Sequence, residues 1–312
     1  SYGEPPGRPS AGSLHSREMN PALLPKKGPN RDTRKANNMP NPEIWAHRGA
    51  PLGKGELPPE NSLTAFHRAL ELGADALEFG LHLTRDNHLV IYHDCRLEHP
   101  RLGLTSLPDL TLEEIREVSL DDEGEPIPSF QDVLQEFDKD ILLVPELKSP
   151  DAAKERGLDP AVRLLEVLEE SDSLHRVIVQ CFHQATLERL QELKPELKLL
   201  ALYRHDQEID FDSIPGDAAY LGIPMLKVFF FGESMVKTAQ SQGRHIIPWR
   251  EMTLSENPEV FERMKQFGVK ALMVDDAEAA LTYYDRCRKP GSSVRPHSKD
   301  EPALSRRCRK PS

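Results

Sequence analysis

The sequence predicts an α/β protein of the (β/α)8 TIM barrel class, with one β-hairpin carrying site residues after the second barrel strand. Three observations carry this. The chain has 312 residues, enough for one barrel of about 250 residues with tails at both ends. Short β-branched apolar runs alternate with amphipathic helical stretches, as a parallel sheet wrapped by helices requires. Nine such apolar runs occur, and two of them lie too close together to be joined by a helix.

In order, the runs are 43–47 (EIWAH), 75–81 (DALEFGL), 88–93 (HLVIYH), 140–147 (DILLVPEL), 175–181 (HRVIVQC), 197–202 (LKLLAL), 218–222 (AAYLG), 245–249 (HIIPW) and 270–275 (KALMVD). Only the short stretch 82–87, with Thr84-Arg85-Asp86-Asn87 as its polar turn, separates the second from the third. A parallel crossover needs a dozen residues or more, so this pair forms an antiparallel hairpin and eight barrel strands remain. A turn centred on Arg85-Asp86 sets Glu78 opposite His93, and the period of two puts Glu78, Gly80 and His82 on one face. Helical periodicity follows at 61–72, 158–171, 184–193, 232–242, 256–266 and 277–285, with a short helix opening at Pro128-Ser129-Phe130. Asn61 is a natural cap for the first helix, and Glu60 suits its positive end; both equally suit support of a nearby site.

Composition bounds the rest. Residues 1–40 are rich in Pro, Ser, Asn, Lys and Arg and lack apolar periodicity, so disorder is expected there. The barrel is expected over 41–285, followed by a basic disordered tail over 286–312, where Arg-Cys-Arg-Lys-Pro occurs at 286–290 and again at 307–311. A net charge of -11 argues against a nucleic-acid partner while leaving room for a local anion site. No apolar run is long enough to span a bilayer. The four cysteines show no CxxC spacing, which argues against a disulfide framework or zinc site and makes a reducing, cytoplasmic setting the default. The oligomeric state is not legible.

In barrels of this class the site lies at the carboxyl ends of the strands. His47 and Arg48 end the first strand, His93 ends the hairpin, and Glu146 with Lys148 ends the strand after it. Trp249 closes a later strand as either a core aromatic or a platform for substrate. The aromatic cluster Val228-Phe229-Phe230-Phe231 reads as a buried loop anchor, with a lipid-facing lip as the rival.

These residues resemble the glycerophosphodiester phosphodiesterase family, in its compact, prokaryote-like form. The match rests on Ala46-His47-Arg48-Gly49, Pro59-Glu60-Asn61-Ser62, the run from Gly73 to Glu78, Thr84-Arg85-Asp86, Val90 to Asp94, Ile127 to Phe130, Glu146-Leu147-Lys148, Trp249, and Gly268-Val269 to Asp275. The resemblance implies hydrolysis of a small-molecule glycerophosphodiester to sn-glycerol 3-phosphate and an alcohol. It implies His47 and His93 as acid/base pair, and Arg48, Lys148 and Trp249 as phosphate and substrate contacts. It also implies Glu78 and Glu146 as ligands of Mg²⁺ or Ca²⁺, with Glu60 and Asn61 in support. The family pattern has an aspartate two residues after the first glutamate, where this chain has Gly80. It has Ser where Cys181 stands, and Thr-Val-Asn where Arg250-Glu251-Met252 stands. Two rivals follow: a weakened pseudoenzyme that binds glycerophosphodiesters, and a phospholipase D-like hydrolase of lysophospholipids.

Overall fold

All nine apolar runs form strands, and eight of them close into a barrel. A computed structural model describes residues 39–287 apart from 149, 252 and 253. The strands are β1 (Glu43–Ala46), β2 (Ala76–Leu83), β3 (Leu89–Ile91), β4 (Arg96–His99), β5 (Gly103–Ser106), β6 (Leu142–Leu147), β7 (Ile178–Cys181), β8 (Lys198–Leu202), β9 (Tyr220–Pro224), β10 (His245–Trp249) and β11 (Ala271–Val274). Neighbours run β1-β11-β10-β9-β8-β7-β6-β2, and β1 pairs with β2 to close the ring. Every pairing within the ring is parallel.

The period of two fills the interior. Trp45, Ala76, Val144, Ile178, Leu200, Ile247, Ala271 and Met273 form an inner apolar cluster. The opposite face of each strand packs on the helices, where Phe66, Phe79, Phe130 and Phe261 are fully buried. The principal helices are α1 (Leu63–Leu72), α2 (Leu112–Ile115), α3 (Phe130–Glu136), α4 (Pro150–Lys154), α5 (Pro160–Glu170), α6 (Gln184–Leu193), α7 (Met225–Ser241), α8 (Pro258–Phe267) and α9 (Ala277–Tyr283).

Five details differ from the sequence reading. The β2–β3 hairpin is in register as Leu81 with Ile91, His82 with Val90 and Leu83 with Leu89. Tyr92 therefore faces Gly80, its N–H donating to the Gly80 carbonyl at 3.1 Å, and His93 falls one position short of its expected place opposite Glu78. Turn chemistry explains the slip. Thr84 and His88 close a three-residue loop, Thr84 N–H donating to His88 O at 2.8 Å, and Asn87 supplies the left-handed residue (φ 64°) that such loops require. The cap of α1 is Ser62, whose hydroxyl accepts from Ala65 N–H at 3.0 Å; Asn61 lies before it with φ 59°.

α7 begins at Met225, directly after β9, and so absorbs the aromatic cluster that had been read as a loop anchor. Val228 is buried, Phe229 lies under the Arg263 guanidinium at 4.6 Å, and Phe231 is 64% exposed. The antiparallel pair β4–β5 has no counterpart in the sequence reading, because each strand has only four residues and burial alternates on β4 alone. The disorder expected over 1–40 falls outside the described residues except for Met39 and Pro40, and so does the expected tail beyond Cys287. Arg286 itself is anchored to the barrel, on Asp75 at 2.6 Å and on the Pro42 carbonyl at 3.1 Å.

Candidate active site

Inward-facing positions two residues past the apolar layer meet at the carboxyl ends of the strands. On β2 these are Glu78 and Gly80; on β6, Glu146, with Lys148 just after it; on β7, Gln180. In register, Gly80 sits beside Glu146, and Glu146 beside Gln180. Because β1 pairs with β11 as Ala46 with Val274, the next step along both strands sets His47 beside Asp275.

His47 Nδ1–H donates to Asp275 Oδ1 at 2.5 Å, leaving Nε2 directed to the mouth, 3.9 Å from Glu78 Oε2. Burial alone would lower the His47 pKa, but the Glu78 and Asp275 carboxylates outweigh it and hold it above the usual imidazole value. Asp275 is itself clamped by the Arg250 guanidinium. Burial would raise its pKa, yet His47 and Arg250 keep it below the usual carboxylate range. Behind it, buried Glu256 accepts the N–H groups of Asp275 and Asp276 at 2.9 and 2.7 Å. Burial pushes the Glu256 carboxyl up to about 7.

His93 differs in setting. It is about half-buried, and its Nδ1 pairs with Asp94 Oδ1 at 2.7 Å. Burial and the cations Lys148 and Arg48 lower its pKa. Arg48 acts on both imidazoles. It holds a left-handed backbone (φ 54°) in the turn after β1, and its guanidinium rests on the Glu60 carboxylate at 3.2 Å. Glu60 therefore supports Arg48 instead of the α1 terminus. Asn61 adds a backbone bond to the Arg48 carbonyl, 2.9 Å, while its buried side-chain oxygen has no protein partner.

The carboxylates read as metal ligands are engaged by the protein itself. Glu78 Oε1 accepts from the Gln180 amide at 2.6 Å, and Oε2 accepts from Arg48 N–H at 3.0 Å. Burial, reinforced by Glu146, pushes its pKa up. Glu146 carries the Lys148 ammonium at 2.6 Å. Among the described residues no group of three or more His, Cys, Asp or Glu side chains is placed to hold a metal ion.

A cavity of about 400 Å³ opens beside these groups, lined by His82, His93, Glu146, Lys148, Phe182 and Arg204 among others. His82 is fully buried, both ring nitrogens lack protein partners, and burial lowers its pKa to about 3, so it faces the cavity neutral. Trp249 lies at the mouth edge-on to Phe182, centroids 6.0 Å apart, and Arg204 covers Phe182 at 4.7 Å. Cys181 contributes no reactive thiol: burial raises its pKa to about 12, and Sγ–H donates to the Leu147 carbonyl at 3.1 Å. Sequence reasoning missed Asp275, Arg250, Glu256 and Gln180 as site residues. Asp275 was reachable, since a closed barrel must pair its last strand with its first.

The model of the glycerophosphoryl diester phosphodiesterase family matches residues 47–279. The chain belongs to that family. The glycerophosphodiester phosphodiesterase of Caldanaerobacter subterraneus subsp. tengcongensis is 31% identical over 249 residues, covering 76% of this chain and 96% of the relative. Among solved structures, a glycerophosphodiester phosphodiesterase from Parabacteroides distasonis has TM-score 0.65 at 24% identity, covering 79% of this chain and 98% of its own. An Oleispira antarctica phosphodiesterase in complex with the product sn-glycerol-3-phosphate has TM-score 0.65 at 20% identity, covering 80% and 99%. Both structural likenesses bear on the fold. Membership makes this chain a phosphodiesterase with a TIM barrel, and none of its described helices is long and apolar enough to cross a membrane.

Proposed function

We propose that the chain hydrolyses glycerophosphodiesters to sn-glycerol 3-phosphate and an alcohol, with His47 and His93 as the acid/base pair. The observation that carries this is the opposite tuning of two imidazoles at one rim, each held through Nδ1 by a carboxylate. His47, raised, keeps its proton to higher pH than an ordinary imidazole and so suits the acid; His93, lowered, gives up its proton more readily and so suits the base. His93 Nε2 takes the proton of the attacking oxygen as its bond to phosphorus forms. His47 Nε2–H gives a proton to the departing alkoxide as the other P–O bond breaks. The same pair serves water or the glycerol 2-hydroxyl as attacker.

Arg48 and Lys148 supply the positive field for the diester anion, and Trp249 offers its face to the glycerol carbons. A divalent ion, Mg²⁺ or Ca²⁺, would fall to Glu78 and Glu146 and would neutralise charge on the phosphoryl oxygens. The residues present do not fit it as they stand: Lys148 occupies Glu146, Gln180 and Arg48 occupy Glu78, and position 80 contributes no oxygen. No step is assigned to the ion.

Release of glycerol 3-phosphate from glycerophosphocholine, with lysophosphatidylcholine in parallel, tests the reading. Hydrolysis of the first is expected. Binding of glycerol 3-phosphate without turnover of any glycerophosphodiester would leave a binding protein, and turnover of the lysophospholipid alone would favour the lipid-hydrolase reading.

A further inference from the structure

The glycine at position 80 has a physical occupant. A Cβ built there would overlap Lys148 Cε and would lie 2.5 Å from the Tyr92 carbonyl oxygen. Two things press onto this one residue: the lysine stem crossing the mouth from β6, and the backbone of the chain returning from the hairpin. The second is rigid, because Tyr92 N–H is bonded to the Gly80 carbonyl. Any side chain at 80 therefore has to displace both. Lys148 uses the vacant space to lay its ammonium on Glu146 at 2.6 Å, only 15% exposed. One strand further, Gln180 takes the nearest oxygen of Glu78.

We propose that Lys148, seated over Gly80 and paired with Glu146, is the resident cation of this site, so that the chain binds the phosphate of its substrate without a divalent metal ion. The inference rests on the phosphodiester reading of the site for its substrate, though not on turnover. The chemistry is consistent part by part. A divalent ion needs several oxygen ligands around a point, and three of the four oxygens of the two glutamates already take an ammonium, an amide and a backbone N–H. An ammonium delivers its charge with three directed N–H donors, so one can stay on Glu146 while others turn to a phosphoryl oxygen. Held on a partly buried carboxylate, it keeps its place when the anion arrives. Gly80 is thus a positioning residue, whose contribution is the absence of a side chain.

The test uses the full chain and titration calorimetry with glycerol 3-phosphate and inorganic phosphate as probes, first in EDTA and then in Mg²⁺ or Ca²⁺. Affinity is expected to change less than about twofold between those conditions, and Lys148→Met to weaken it at least about tenfold in EDTA. Gly80→Ala, with its fold checked by circular dichroism, is expected to weaken it similarly by pushing the lysine aside. Mn²⁺ alone, followed by electron paramagnetic resonance, is expected not to bind at micromolar protein. Glycerol 3-phosphate binding that vanishes in EDTA and returns with Mg²⁺ or Ca²⁺ overturns the proposal, as does full affinity in Lys148→Met. Metal-free binding with no hydrolysis of any glycerophosphodiester would leave this inference standing and remove the proposed function; hydrolysis together with phosphate binding that both require the ion would do the reverse.

Discussion

At the scale of single residues, Asp275 decides the state of His47. It orients the ring through Nδ1 and, together with Glu78, holds the His47 pKa up, so its loss acts on titration before it acts on binding. His47→Ala and His93→Ala are each expected to fold and to lose at least about 10²-fold in kcat, the scale of one acid/base group. Asp275→Asn is expected to lose less but to move the pH profile. The sign follows from the direction of the shift: a raised His47 stays protonated further into alkaline pH, so the falling alkaline limb of kcat/KM lies above the ordinary imidazole value of about 6.5. Removing the Asp275 charge brings that limb down, while the acid limb, set by His93 with its own partner Asp94, stays in place. A profile of kcat/KM against pH measures both limbs, and an unmoved alkaline limb would remove Asp275 from this role. Arg250 was legible only as a departure from a family pattern. Its contact with Asp275 is invisible to spacing, because it joins the segments just past the ends of β10 and β11, and neither residue type announces the other.

At the scale of elements, strand positions were readable because apolar runs and the period of two are local properties. The hairpin register was not, because it depends on one dihedral angle. Asn87, left-handed at φ 64°, converts an expected two-residue turn into a three-residue loop, and every pairing shifts with it. That shift puts the Tyr92 carbonyl against Gly80 and carries His93 to its place. Asn87→Gly is therefore expected to be nearly neutral. Asn87→Val is expected to cost about 1–2 kcal/mol, as a β-branched residue resists the left-handed region. It should also lower kcat, since the hairpin delivers His93; thermal melting and steady-state kinetics on the same sample read both. A non-local cause hid the true extent of α7. The run Val228 to Phe231 has no helical alternation by itself, yet one residue packs inward, one lies under Arg263 and Phe231 faces solvent. Phe231→Ser should leave the melting temperature unchanged within about a degree, whereas Val228→Ala should cost about 1–2 kcal/mol for an emptied core position.

At the scale of the whole molecule, the barrel separates its two tasks along its axis. The acid/base and phosphate-facing groups gather at the carboxyl ends of the strands, while contacts at the opposite end hold the ring shut. Asp75, just before β2, accepts from Ile44 N–H at 2.7 Å and from Arg286 at 2.6 Å. Arg286 also reaches the Pro42 carbonyl, and Asn41 reaches the Tyr284 carbonyl at 3.2 Å. The two ends of the described chain are thus tied across the seam where β1 meets β2 and β11. Composition had assigned Arg286 to a disordered tail, since nothing in a run of Arg, Cys and Lys marks which cation finds a carboxylate more than 200 residues away. Arg286→Ala leaves Asp75 with Ile44 but removes two bonds from a partly buried cation, a loss of about 1–2 kcal/mol after discounting for exposure. Because the latch lies at the end of the barrel away from His47, kcat and KM should stay within about twofold while denaturant unfolding shifts to lower midpoint. A change in kcat without a change in midpoint would mean that the seam transmits to the site, and that the two ends of this barrel are not independent.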